Sequence, residues 1–119
     1  MTVEACYKML EGDFEEVMSR LKNEERVKKF ALKFLSDESF KMLTECMEKH
    51  DIDEAFRAAH TIKGICQNLG FTKLYNSSVQ ITEALRVKDE EEARKYLPDV
   101  QGAYLQTTEA LKMLQAEES

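Results

Sequence analysis

His60, Lys63, Gly64 and Gln67 fall within the stretch AHTIKGICQNLG, residues 59–70. On a helix their spacing brings all four to one surface. The chemistry open to such a surface is nucleophilic. A free imidazole titrates near ~6.5, so an exposed histidine is substantially neutral at neutral pH and can attack an electrophile without an activating base. Lys63 sets a cation one turn from His60, and Gln67 can hydrogen-bond an oxygen of an incoming group. Phosphoryl transfer suits this set, because it asks a protein chiefly for positioning and for positive charge near the phosphate. Hydrolysis by a catalytic triad does not, since no carboxylate and nucleophile converge with His60 and Thr61 points about 100° away around the helix.

Gly64 sharpens the reading. A glycine inside a helix gives up about 0.5–1 kcal/mol relative to alanine. A helical side chain lies over the turn N-terminal to its own Cα, so a side chain at position 64 would cover the ring at position 60. Close packing of two helices is the other use for such a glycine, but Gly64 lies off the apolar stripe. Two neighbouring candidates are weaker. His50 ends an apolar helical run and reads as a last-turn residue favoured by the helix dipole. Cys66 lies on the core stripe, which predicts an inert thiol.

The helix that must carry these residues is legible. Asp51 and Glu54 have the form of a capping box, so the helix should start near Ile52 or Asp53. Ile52, Ala55, Ala59, Ile62, Cys66 and Leu69 recur at alternating three and four, with Ala58 and Ile65 widening the stripe, and leave His60, Lys63, Gly64 and Gln67 on a separate polar face. Gly70 reads as the C-cap, and Phe71 as the apolar residue that folds back on it.

Helical periodicity continues on both sides. Thr2–Leu10 and Asp13–Leu21 read as two short helices broken at Glu11-Gly12, too small for a core and expected to pack as a cap. From Glu24 a stripe of Val27, Phe30, Ala31, Phe34 and Leu35 leads to Ser36-Asp37-Glu38-Ser39, which either caps a new helix or kinks a continuous one before Phe40, Leu43, Cys46 and Met47. Thr72 is expected to cap a helix running to about Val87, with Leu74, Ser78, Ile81 and Leu85 inward. Asp89 and Glu92 form a second capping box, and the last helix carries Ala93, Leu97, Val100, Tyr104, Thr107, Leu111 and Leu114. Pro98 should bend that helix near Arg94–Leu97, or split it with the help of Gly102. Short connections imply antiparallel neighbours, hence an all-α, up-down four-helix bundle over 24–117 with residues 1–23 as a helical cap.

Composition bounds the rest. With 119 residues the chain fits one domain that needs no staples. A net charge of −6 without a Lys/Arg stripe argues against nucleic acid. Cys6, Cys46 and Cys66 are widely separated and read as reduced thiols, and no ligand spacing suggests zinc. No segment has the length of a membrane span and the N-terminus is not a signal peptide, so a cytoplasmic protein is expected, and its initiating methionine and polar C-terminal end suggest a free-standing one.

AHTIKGICQNLG closely resembles the phosphoacceptor signature of histidine-containing phosphotransfer (HPt) domains, H-x-x-K-G followed by small residues and a leucine-glycine pair. His60, Lys63, Gly64, Leu69 and Gly70 match it; Ile65 and Cys66 stand where small residues are usual. The resemblance spans about Glu24 to Glu117. It implies that His60 accepts a phosphoryl group from a receiver-domain aspartate and passes it to another receiver in a two-component phosphorelay. Lys63 would stabilise the phosphate charge, Gly64 give steric access and Gln67 offer a hydrogen bond. Phe56, Arg57 and Phe71 would complete the docking surface. The expected partners are response-regulator receiver domains and a hybrid sensor histidine kinase. The chain would need no cofactor of its own; magnesium would come with the receiver, and no Gly-rich phosphate loop or kinase signature is present. The alternative is a non-catalytic helical adaptor that binds a receiver or helical partner without taking phosphate.

Overall fold

The computed structural model describes residues 1–117; the last two residues of the polar C-terminal end lie outside the described residues. Regular structure among the described residues is helical throughout. The elements are α1 (Val3–Met9), α2 (Phe14–Leu21), α3 (Glu24–Lys33), a 3-10 turn (Phe34–Ser36), α4 (Ser39–Glu48), α5 (Ile52–Leu69), α6 (Thr72–Arg86) and α7 (Glu90–Ala116).

Polar side chains start most of these helices where the sequence places them. Thr2, Asp13, Asn23, Asp51 and Asp89 each accept a hydrogen bond from the backbone N–H three residues on, filling one of the orphan donors of a first turn. The cluster at 36–39 proves to be a break: α3 tightens into the 3-10 turn, and Asp37 Oδ1 accepts from Ser39 N at 2.9 Å before α4 begins. Thr72 is not a cap. Phe71 occupies that position without a side-chain bond, and Thr72 is the first helical residue.

Helix ends are less orthodox. Gly70 caps α5 in the left-handed region at φ 70°, as expected. Glu11, Lys22, His50 and Lys88 adopt the same conformation at φ 56°, 65°, 59° and 59°. His50 therefore sits just past the last turn of α4 rather than in it. Its Nδ1 lies 2.6 Å from Glu90 Oε2 on α7, where Arg94 also binds Glu90 and donates to Met47 O at 2.6 Å.

Pro98 does not split α7, which runs unbroken from Glu90 to Ala116. The proline faces solvent while Ala93, Val100 and Ala103 on the inner face are buried, so the helix is held by its packing and the carbonyl freed by the missing N–H is on the wet side.

Packing follows chain order. α4 lies on α5, α5 on α6 and α6 on α7, while α1 and α3 lie against α7 and α2 lies on α3. The two short N-terminal helices are part of the core and not only a lid over it: Val3, Cys6, Tyr7, Leu10 and Val17 are all buried with the long helices' apolar stripes. An aromatic chain crosses the interior. Tyr7 meets Phe14 and Phe71, Phe71 meets Phe34, and Phe34 meets Tyr104, with ring centroids 5.4–5.9 Å apart; Phe40 stacks on Tyr104 at 4.3 Å.

The N-terminal segment also completes α5. The last carbonyls of a helix have no partner within it. Here Tyr7 Oη donates to Leu69 O at 2.7 Å, Arg20 Nη2 donates to Gln67 O at 3.0 Å and Asn68 O at 2.5 Å, and Asp13 N donates to Gly70 O at 2.7 Å. The approach is close enough that a Cβ at Gly12 would lie 2.6 Å from Gly70 O. Burial pushes the Tyr7 hydroxyl's pKa well up, so it remains a protonated donor. Tyr7→Phe keeps the ring contacts and leaves the Leu69 carbonyl without that donor. It should cost about 1–3 kcal/mol, read by urea or thermal unfolding; an unchanged midpoint would show that the bond contributes nothing net.

Candidate phosphoacceptor site

α5 presents its two faces as its sequence requires. Ala55, Ala58, Ala59, Ile62, Cys66 and Leu69 are buried. His60 and Gln67 are exposed, and Lys63 and Gly64 are partly so. The imidazole of His60 makes no hydrogen bond or ion pair among the described residues; its one side-chain neighbour of note is the Phe56 ring, one turn earlier, at 5.8 Å between centroids and 55° between planes. Lys63 likewise pairs with no acid among the described residues, so its ammonium is free for an anion. Thr61 turns its hydroxyl back to donate to Arg57 O at 2.9 Å. A shallow depression bounded by Phe56, Arg57, His60 and Thr61 opens beside the ring. Gln67, one turn beyond Lys63, borders a separate hollow with Glu16, Tyr75 and Asn76.

Gly64 is not a packing device. A Cβ built on it would meet nothing within 4 Å, so no neighbouring helix requires its absence. What the glycine leaves is open space on the same face as His60.

Phe71 does not belong to this surface. It is fully buried, clamped between Tyr7 and Phe34, because the left-handed turn at Gly70 carries it back into the core. The same fold-back that the sequence predicts for Phe71 thus removes it from any docking surface. Phe56 is partly buried and Arg57 exposed, with Arg57 Nη1 paired to Glu54 Oε1 at 3.1 Å.

Two residues close to the site carry no signal in the sequence. Arg86, in the last turn of α6, lays its guanidinium over the Phe56 ring at 5.0 Å. Arg20, on α2, ties the end of α5. Each reaches α5 from another element, and only the packing of the helices reveals the pairing.

The thiols are poor candidates for chemistry. Cys66 is buried and burial pushes its pKa far up; burial likewise pushes Cys6 up to about 11. No group of three His, Cys, Asp or Glu side chains able to hold a metal occurs among the described residues.

Comparison with protein families matches residues 7–117 to the Hpt domain. The chain belongs to the Hpt family. No curated protein and no solved structure gives a match. The matched span begins at Tyr7, well ahead of Glu24, so the Hpt match takes in α2 and the C-terminal end of α1 along with the later helices. Hpt domains serve phosphotransfer in two-component phosphorelays and interact there with receiver domains, which places this chain in that class of signalling. Among the described residues no helix is long and apolar enough to cross a membrane.

Proposed function

We propose that the protein is a phosphorelay intermediate in which His60 accepts a phosphoryl group from the aspartate of one receiver domain and delivers it to the aspartate of another. The observation that carries the reading is the exposed, unpartnered imidazole of His60 beside the free ammonium of Lys63, on the helix that bears the family signature. The ring nitrogen without a proton attacks phosphorus while the bond from phosphorus to the aspartyl oxygen breaks. The electron pair leaves with the carboxylate, and the other ring nitrogen keeps its proton. Lys63 offsets charge on the phosphoryl oxygens. Gln67 hydrogen-bonds one of those oxygens or the partner's backbone.

The bundle runs up-down over 24–117, α3 and α4 making its first arm before α5, α6 and α7, with residues 1–23 as a helical cap, and the whole chain acts as one cytoplasmic domain. Short connections favour this, since α4, α5, α6 and α7 pack in succession across turns of two or three residues. Phe56 and Arg57 meet the receiver around His60. Magnesium enters with the receiver, and the chain itself binds neither nucleotide nor metal.

Incubation with a phosphorylated receiver domain should label the protein with an acid-labile, base-stable phosphoryl group. A protein that binds receivers and never takes label would instead be an adaptor.

A further inference from the structure

An exposed histidine with no hydrogen-bonded carboxylate has nothing polar to fix its ring, yet transfer between two aligned groups demands a fixed ring. Among the described residues the ring that His60 meets is that of Phe56, and Phe56 is itself held. The Arg86 guanidinium lies over its ring at 5.0 Å, and Arg86 Nε donates to Glu83 Oε1 at 3.3 Å one turn back on α6. A chain of contacts thus runs from α6 across to α5: Glu83, Arg86, Phe56, His60. Flat cation-on-ring contact is favourable on a partly exposed surface, and a guanidinium suits it better than a point charge.

We propose that Phe56 is the positioning residue for the phosphoacceptor ring and that Arg86 acts through it, as a clamp that keeps the Phe56 ring against His60. The inference rests on the phosphoacceptor reading of His60 and gives Phe56 a task beyond docking. With the clamp in place, the imidazole has fewer orientations to sample before an electrophile arrives. Without it, His60 is still present, exposed and nucleophilic, but seldom aligned.

Docking and positioning separate by experiment. Phosphoramidate phosphorylates histidine with no protein partner: the ring nitrogen attacks phosphorus, the P–N bond breaks and ammonia departs. Phe56→Leu should slow labelling by phosphoramidate about ten-fold and Arg86→Met about three-fold, with Arg86→Lys closer to wild type. With a phosphorylated receiver Arg86→Met should lower kcat and leave KM unchanged, while Phe56→Leu, which also removes a docking contact, should lower kcat and raise KM. Nuclear Overhauser contacts between the Phe56 and His60 ring protons should be present in the wild type and weakened in Arg86→Met. Arg86 is exposed enough that its replacement leaves the fold intact even if Phe56→Leu proves unstable, which circular dichroism will show. Unchanged phosphoramidate rates in both variants, or a rise in KM alone, would overturn the proposal and leave Phe56 a docking residue. A wild-type protein that takes no label from either donor would instead overturn the phosphoacceptor reading itself.

Discussion

His60→Gln, incubated with a phosphorylated receiver domain, should take up no phosphoryl group, while His50→Gln should take up as much as the wild type. The chain has two histidines, so this pair of variants assigns the acceptor without ambiguity. Their surroundings explain the difference. His50 Nδ1 is engaged with Glu90 at 2.6 Å and lies beside the Arg94 guanidinium, reaching α7 from the turn between α4 and α5. His60 has neither nitrogen engaged by any of the described residues, and an ammonium stands one turn away. Removing the attacking atom removes the covalent intermediate altogether, so the loss should be complete within detection. Glutamine keeps comparable bulk and polarity at an exposed position, so the unfolding midpoint should stay within about 0.5 kcal/mol of wild type. Residual label in His60→Gln, or loss of label in His50→Gln, would refute the assignment.

The second large effect concerns Gly64, where stability and transfer should respond separately to the size of the side chain. Gly64→Ala should stabilise the protein by about 0.5–1 kcal/mol, because the new Cβ meets open space and the helix gains propensity. Its transfer rate should stay near wild type, as a methyl group reaches no neighbour within 4 Å. Gly64→Phe should keep the helix yet slow transfer by on the order of 10²-fold, since the larger side chain lies back over the His60 turn and denies a partner the attack geometry. Gly102 supplies the control. It too is a helical glycine with nothing within 4 Å of an added Cβ, but on α7, so Gly102→Ala should stabilise comparably and leave transfer alone. Normal transfer by Gly64→Phe would defeat the steric account.

Much of the site was legible in the residues because it lies on a single helix. The capping box at Asp51, the alternating apolar stripe and Gly70 fix the limits and rotation of α5, and its rotation alone exposes His60 and Gln67. Local rules sufficed again for the starts of α1, α2 and α7. They failed where tertiary packing decided the matter. Left-handed turns at Glu11, Lys22, His50 and Lys88 use residues with no glycine-like preference, so nothing in their types announces them. Pro98 broke a local rule without breaking the helix, because α7 is buried along its inner face. Phe71 can fold back on the cap or face a partner but not both, and the core takes it. Arg86 and Arg20 lie on other helices than the one they serve, and spacing along a chain carries no register between helices.

The clasp at the end of α5 sets where this unit can be cut. Glu24 opens the longest stretch of strong periodicity and would be the natural first residue of a shortened version or a fusion. Cutting there removes Tyr7, Asp13 and Arg20 together, which strips the carbonyls of Gln67, Asn68 and Leu69 of those donors, leaves Gly70 O only the 3.5 Å bond from Thr72 Oγ1, and bares one side of Phe71. The signature would survive intact in such a fragment as a string of letters, yet the helix that displays it would end in three acceptors without their donors and a fourth held by Thr72 alone. A working module therefore has to be counted from α1.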